Sequence, residues 1–107
     1  MDKEKIMQKL FLYISNIQRY TGDCNSLVEF EADPMRVDAT VFNLMQIGEV
    51  ARAVLASEEE IMPDIPWQQI RGLRNRIVHN YDGIDMAIVY ETAKEDIPEL
   101  AEKLKQM

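Results

Sequence analysis

With 107 residues the chain has room for one domain and none for a second, so positions 1–107 are expected to form a single unit around one core. Apolar residues make up 47% and charged residues 29%, with four glycines and four prolines, a balance that argues against disorder and against a β-sandwich and for an all-α fold. A net charge of −7 argues against a general nucleic-acid coat protein, and the one cysteine, Cys24, rules out an internal disulfide.

The start, Met1-Asp2-Lys3-Glu4-Lys5, lacks the apolar stretch of a secretion signal. No run approaches the roughly 20 apolar residues that cross a bilayer, so a soluble cytoplasmic protein with no membrane partner is expected. The first helix is expected from about Asp2 to Tyr20, with Ile6, Leu10, Tyr13, Ile14 and Ile17 at spacings of three and four, ended by Thr21-Gly22-Asp23. A short helical turn follows at Ser26 to Glu31. Asp33-Pro34 then reads as a cap followed by proline at the first helical position, opening a second long helix to about Ser57. That helix carries Val37, Val41, Leu44, Met45, Val50 and Val54 and is apolar around much of its circumference. Either it is a deeply buried central helix, or Phe42 and Met45 meet a partner subunit.

The acidic run and two prolines between Glu58 and Pro66 form the one substantial connection, and Pro66-Trp67 opens a third helix ending near Tyr81, where Asp82-Gly83 stops it. Asp85 is the expected cap of the last helix, with Met86, Val89, Ala93, Ile97, Leu100 and Leu104 as its buried stripe and a kink at Pro98. Four principal helices with short connections make an up-and-down bundle.

The third helix carries the chemistry. From Ile65 to Tyr81 there are Arg71, Arg74, Arg76 and His79 with no acid, so a positive patch sits on an acidic body. On a helix, positions 74 and 79 differ by about 140° in direction and about 7.5 Å in height, so the two side chains do not share a face but are long enough to converge on an object the size of a phosphate. RNA brings its own nucleophile, the ribose 2′-hydroxyl, and its cleavage needs a base, a cation for the charge building on phosphorus, and an acid for the leaving oxygen. Arg74 and His79 supply two of these roles. One imidazole cannot give and take a proton at once, and a homodimer in which two copies of the third helix line one cleft would supply the second.

Each residue also has an ordinary structural reading. A histidine in the last turn of a helix is favoured there by the helix dipole, an isolated arginine is usually solvated or ion-paired, and a lone tyrosine usually packs. Glu49 either orients an arginine of the third helix or faces solvent. The seven methionines read as core filling, and no ligand-spaced cluster calls for a metal or other cofactor.

The segment Arg74-x4-His79-x-Tyr81 resembles the R-x4-H-x-Y signature of the HepT toxins, a branch of the HEPN superfamily of helical ribonucleases. Asn43-Leu44-Met45-Gln46-Ile47-Gly48-Glu49-Val50-Ala51 is similar to that family's second-helix pattern, Ile65-Pro66-Trp67 to its approach to the motif, and Asp96-Ile97-Pro98-Glu99-Leu100 to its C-terminal helix, so the likeness covers most of the chain. The resemblance implies a four- to five-helix HEPN bundle, a homodimer with the motif in an interface cleft, and metal-independent endonucleolytic cleavage of tRNA or messenger RNA by a toxin. It implies Arg74 and His79 as the catalytic pair, Asn75 as an auxiliary polar residue, and Tyr81 as the acceptor of AMP from an MntA-like nucleotidyltransferase antitoxin. Glu49, Arg71 and Arg76 are the further candidates for orienting groups or RNA contacts. The alternative is a non-catalytic helical dimer that binds a nucleotidyltransferase or a nucleotide at the same arginines.

Overall fold

The computed structural model describes residues 1–79 and 85–107, apart from the side chains of Val78 and His79. All regular structure among the described residues is helical: α1 (Lys3–Thr21), α2 (Leu27–Glu31), α3 (Pro34–Ala56), α4 (Trp67–His79), α5 (Met86–Glu91), a π-helical turn (Thr92–Asp96) and α6 (Ile97–Lys105). Short polar side chains set four of the starts. Asp2, Ser26, Asp33 and Asp85 each accept hydrogen bonds from backbone N–H groups of the first turn that follows, which would otherwise lack a partner.

The apolar stripes meet in one core. Ile6, Leu10, Ile14 and Ile17 of α1 pack with Leu44, Ile47, Ala51 and Val54 of α3, and Val89, Ile97 and Leu104 close the other side. α3 lies between α1 and α4 in broad contact with both, while α6 leans on α1. The connection from α3 to α4 is fastened from within: Trp67 Nε1 donates to Ile61 O at 2.8 Å, and Ile61, Met62 and Ile65 are buried.

One expectation needs revision, and of the two readings left open for the second long helix, full burial does not hold. The last helix is split, and the disturbance lies before Pro98. Proline has no N–H to give the carbonyl four residues back, and the chain absorbs this by widening the preceding turn, in which Ile97 N–H reaches the carbonyl five residues away at Thr92. α3 is also not wholly enclosed by its own chain. Its outer face leaves Phe42 58% and Met35 82% exposed, although Met45 is half-buried. The expected stop at Asp82-Gly83 and the helix end near Tyr81 lie outside the described residues.

Candidate active site at the crossing of α3 and α4

α3 and α4 are in close contact where Gly48 faces Arg74. A Cβ at position 48 would overlap Arg74 Cβ and lie 2.6 Å from its Cγ, so only glycine lets the two helices meet there. The arginine side chain is thus held at its root by backbone. The neighbouring residue holds its head: Arg74 Nε sits 2.6 Å from Glu49 Oε1. That N–H makes no aligned hydrogen bond, so the contact is an ion pair and chiefly electrostatic. On the other side, Arg74 Nη1 donates to Asn75 Oδ1 at 3.1 Å. Among the described residues nothing bonds Nη2.

Glu49 is shared. Its Oε2 accepts from Arg52 Nε at 3.2 Å and lies 3.1 Å from Arg52 Nη2. Partial burial pushes this carboxyl up, but the hydrogen bond and charge of Arg52, joined by Arg74, outweigh it and hold Glu49 below its usual value. The carboxylate therefore stays ionised and bridges two guanidinium groups. A guanidinium fixed at root and head, with Nη2 unbonded among the described residues, needs little reorganisation to accept a phosphate oxygen and to stabilise charge building on it.

The candidates from the sequence fall in different places. Arg74, Asn75 and Glu49 come together at this crossing, and Arg71 lies exposed one turn earlier on α4. His79 is the last residue of α4, and its side chain, like Tyr81, lies outside the described residues. Arg76 is two residues past Arg74, about 200° around the helix, and lines a groove on the opposite flank of α4. That groove has a volume of about 730 Å3 and runs between α4 and the α5–α6 segment, with Leu73, Ile88 and Leu100 among its apolar lining and Glu91, Asp96 and Glu99 among its acids. Sequence reasoning overlooked Gly48 and Arg52. The i,i+3 spacing of Glu49 and Arg52 was a usable signal for the second. Nothing in the sequence marks where two helices cross. Among the described residues no group of three potential ligands is placed to hold a metal ion, and no helix is long and apolar enough to cross a membrane.

Comparisons with known proteins point in one direction. Residues 10–107 match the family model described as Ribonuclease HepT-like. A protein of Methanocaldococcus jannaschii, named as a candidate RNase, is 35% identical over 99% of this chain and 87% of its own length. A second candidate RNase, from Caldanaerobacter subterraneus, is 33% identical over 77% of this chain and 73% of its own. The probable ribonuclease HepT of Thermococcus cleftensis is 30% identical over 74% of this chain and 72% of its own. No solved structure is a significant match.

Proposed function

The chain belongs to the Ribonuclease HepT-like family, and from that premise we propose that it is the RNA-cleaving toxin of a toxin–antitoxin pair, acting in the cytoplasm on tRNA or messenger RNA. The observation that carries the reading is Arg74, the arginine of the R-x4-H spacing, seated on Gly48 and steadied by Glu49, with Nη2 unbonded among the described residues.

The chemistry requires no metal. A neutral imidazole takes the proton of a ribose 2′-hydroxyl, the 2′-oxygen attacks the adjacent phosphorus, and Arg74 balances the charge that develops on the phosphoryl oxygens. The bond to the 5′-oxygen breaks, and an imidazolium protonates that oxygen. The products are a 2′,3′-cyclic phosphate and a free 5′-hydroxyl. Because the chain has one histidine, the acid and the base are His79 and the partner's His79 in a homodimer. The exposed α3 face supports this assembly. Phe42 stands two turns before Glu49 on the same side of the helix, so an apolar surface adjoins the arginine site.

Silencing follows from the same charges. A nucleotidyltransferase partner transfers AMP from ATP to the Tyr81 hydroxyl and releases pyrophosphate, placing a bulky anion two residues from His79. The modified residue both blocks RNA and neutralises the arginines meant for it.

The test is cleavage of RNA by unmodified protein in chelator, beside Arg74→Ala and His79→Ala. Cyclic-phosphate ends that vanish in both variants are expected. Cutting that survives both would overturn the assignment. Mass spectrometry after incubation with the partner and ATP should find AMP on a peptide containing Tyr81, and neutralised toxicity with that peptide unchanged would remove the modification from the scheme.

A further inference from the structure

Glu49 carries two arginines, and only one of them belongs to the R-x4-H spacing. Arg74 lies on Oε1 at 2.6 Å, while Arg52 Nε and Nη2 lie on Oε2 at 3.2 and 3.1 Å. Nitrogens on the two oxygens of one carboxylate are at most about 8 Å apart, so two guanidinium groups stand side by side with a fixed spacer between them. We infer that Arg52 is a second phosphate-binding residue, holding the RNA phosphate that neighbours the one at Arg74. This extends, and rests on, the ribonuclease reading above.

Three observations support the assignment. The Arg52 side chain is 62% exposed, and its bond to Glu49 is an i,i+3 pair on a helix surface, a contact of small net worth that a phosphate can take over. Guanidinium also suits the exchange, because its planar fork accepts two anionic oxygens at once. The direction fits as well. From the Gly48–Arg74 crossing, Arg52 lies toward the α3–α4 connection, as does exposed Arg71 on α4, whereas His79 lies at the far end of α4. A strand with its scissile phosphate between Arg74 and His79 therefore continues over Arg52. Glu49 limits the attraction to what two arginines exceed by one charge, and it prevents them from repelling one another apart.

Were Arg52 only a brace for Glu49, removing it would loosen Arg74 and slow cleavage without changing how many phosphates are neutralised. Salt dependence separates the two roles. The full chain carrying His79→Ala is titrated with a fluorescein-labelled single-stranded RNA oligonucleotide between about 50 and 200 mM salt. Adding Arg52→Ala should lower the slope of log affinity against log salt by about 0.7 and weaken binding about five-fold at 0.1 M salt, the signature of one lost phosphate contact on a single strand. Arg52→Lys should keep most of the slope, and Arg19→Ala, at the far end of α1, should keep all of it. An unchanged slope in Arg52→Ala, with RNA still bound, overturns the role of Arg52 and leaves the ribonuclease reading standing. Failure of the His79→Ala chain to bind RNA, together with failure of the wild type to cut it, overturns both.

Discussion

Arg36, near the start of α3, and Arg74, in the middle of α4, bury their side chains to the same extent, with 24% and 23% exposed. Their surroundings differ. Arg36 Nη1 donates to Cys24 Sγ at 2.7 Å and Nη2 lies 3.4 Å from Asp23 Oδ1, so both partners belong to the single loop between α1 and α2. The same loop is fastened from the other side, where the Tyr90 hydroxyl donates to Cys24 O and Lys94 Nζ donates to Thr21 O at the end of α1 just before it. Arg36 thus completes a structural clasp. Arg74 instead shares its carboxylate with a second arginine and is seated on a glycine. Burial alone does not distinguish the arginine proposed to work on RNA from the one that fastens a loop. The difference lies in the company each keeps: Arg36 ties two groups of one loop, whereas Arg74 stands beside a second guanidinium on one carboxylate.

The sharpest way to break that comparison is to remove each arginine in turn. Arg74→Ala should lower cleavage by about 10²- to 10³-fold, the usual cost of deleting one stabiliser of transition-state charge, while unfolding shifts little because Glu49 keeps Arg52. Gly48→Ala comes next. It leaves every charged group in place but forces α4 outward at Arg74, so cleavage should fall by up to about 10²-fold through misplacement, with roughly 1–3 kcal/mol of overpacking seen in denaturant unfolding. If Gly48→Ala cleaves like wild type, the crossing does not set the position of the guanidinium.

Arg36→Ala should show the reverse pattern. Loss of about 1–2 kcal/mol in unfolding free energy is expected, because the Cys24 sulfur and the loop lose their tie, and cleavage per folded molecule should stay at the wild-type rate. A large activity loss at constant stability would mean that the clasp communicates with the α4 end of the bundle.

How far the sequence alone revealed this arrangement differs from element to element. The helix starts were legible because Asp2, Ser26, Asp33 and Asp85 are short acceptors placed before apolar periodicity, and local chemistry alone decides a cap. The π-helical turn was not. Val89, Ala93, Ile97, Leu100 and Leu104 keep a helical spacing straight through it, and Pro98 shows that something gives way without showing that it does so one turn earlier. In the site, the spacing that singles out Arg74 and His79 was visible, and Arg71 and Arg76 were equally visible as charges. Only packing separates them, since it places Arg76 on the groove flank of α4, away from Glu49. Gly48 stood in the sequence only as one member of the Asn43 to Ala51 pattern. Its meaning depends on a residue 26 positions away, and no local pattern encodes that.

The two flanks of α4 also differ in how their carboxylates titrate, which gives the smallest effect and a separate check. On the crossing side, Glu49 is held below its usual value, so its contribution to stability is present above the ordinary glutamate range near 4.5 and is lost as pH falls through the depressed folded value. On the groove side, burial and then the charges of Glu99 and Glu91 push Asp96 above its usual 3.8. The sign is opposite: the stability linked to Asp96 is complete below that ordinary value and is lost as pH rises through the elevated one. Asp96 makes no side-chain capping bond to α6, so Asp96→Asn removes repulsion without removing a cap. The variant should melt about 1–2 °C higher than wild type at neutral pH, and the gain should vanish in acid, where the wild-type carboxyl is itself protonated. Glu49→Gln should melt lower than wild type at neutral pH and converge with it in acid. Melting curves that shift in the same direction for both variants at neutral pH would show that the two carboxylates do not sit in opposite fields, and the contrast between the flanks would then rest on the arginines alone.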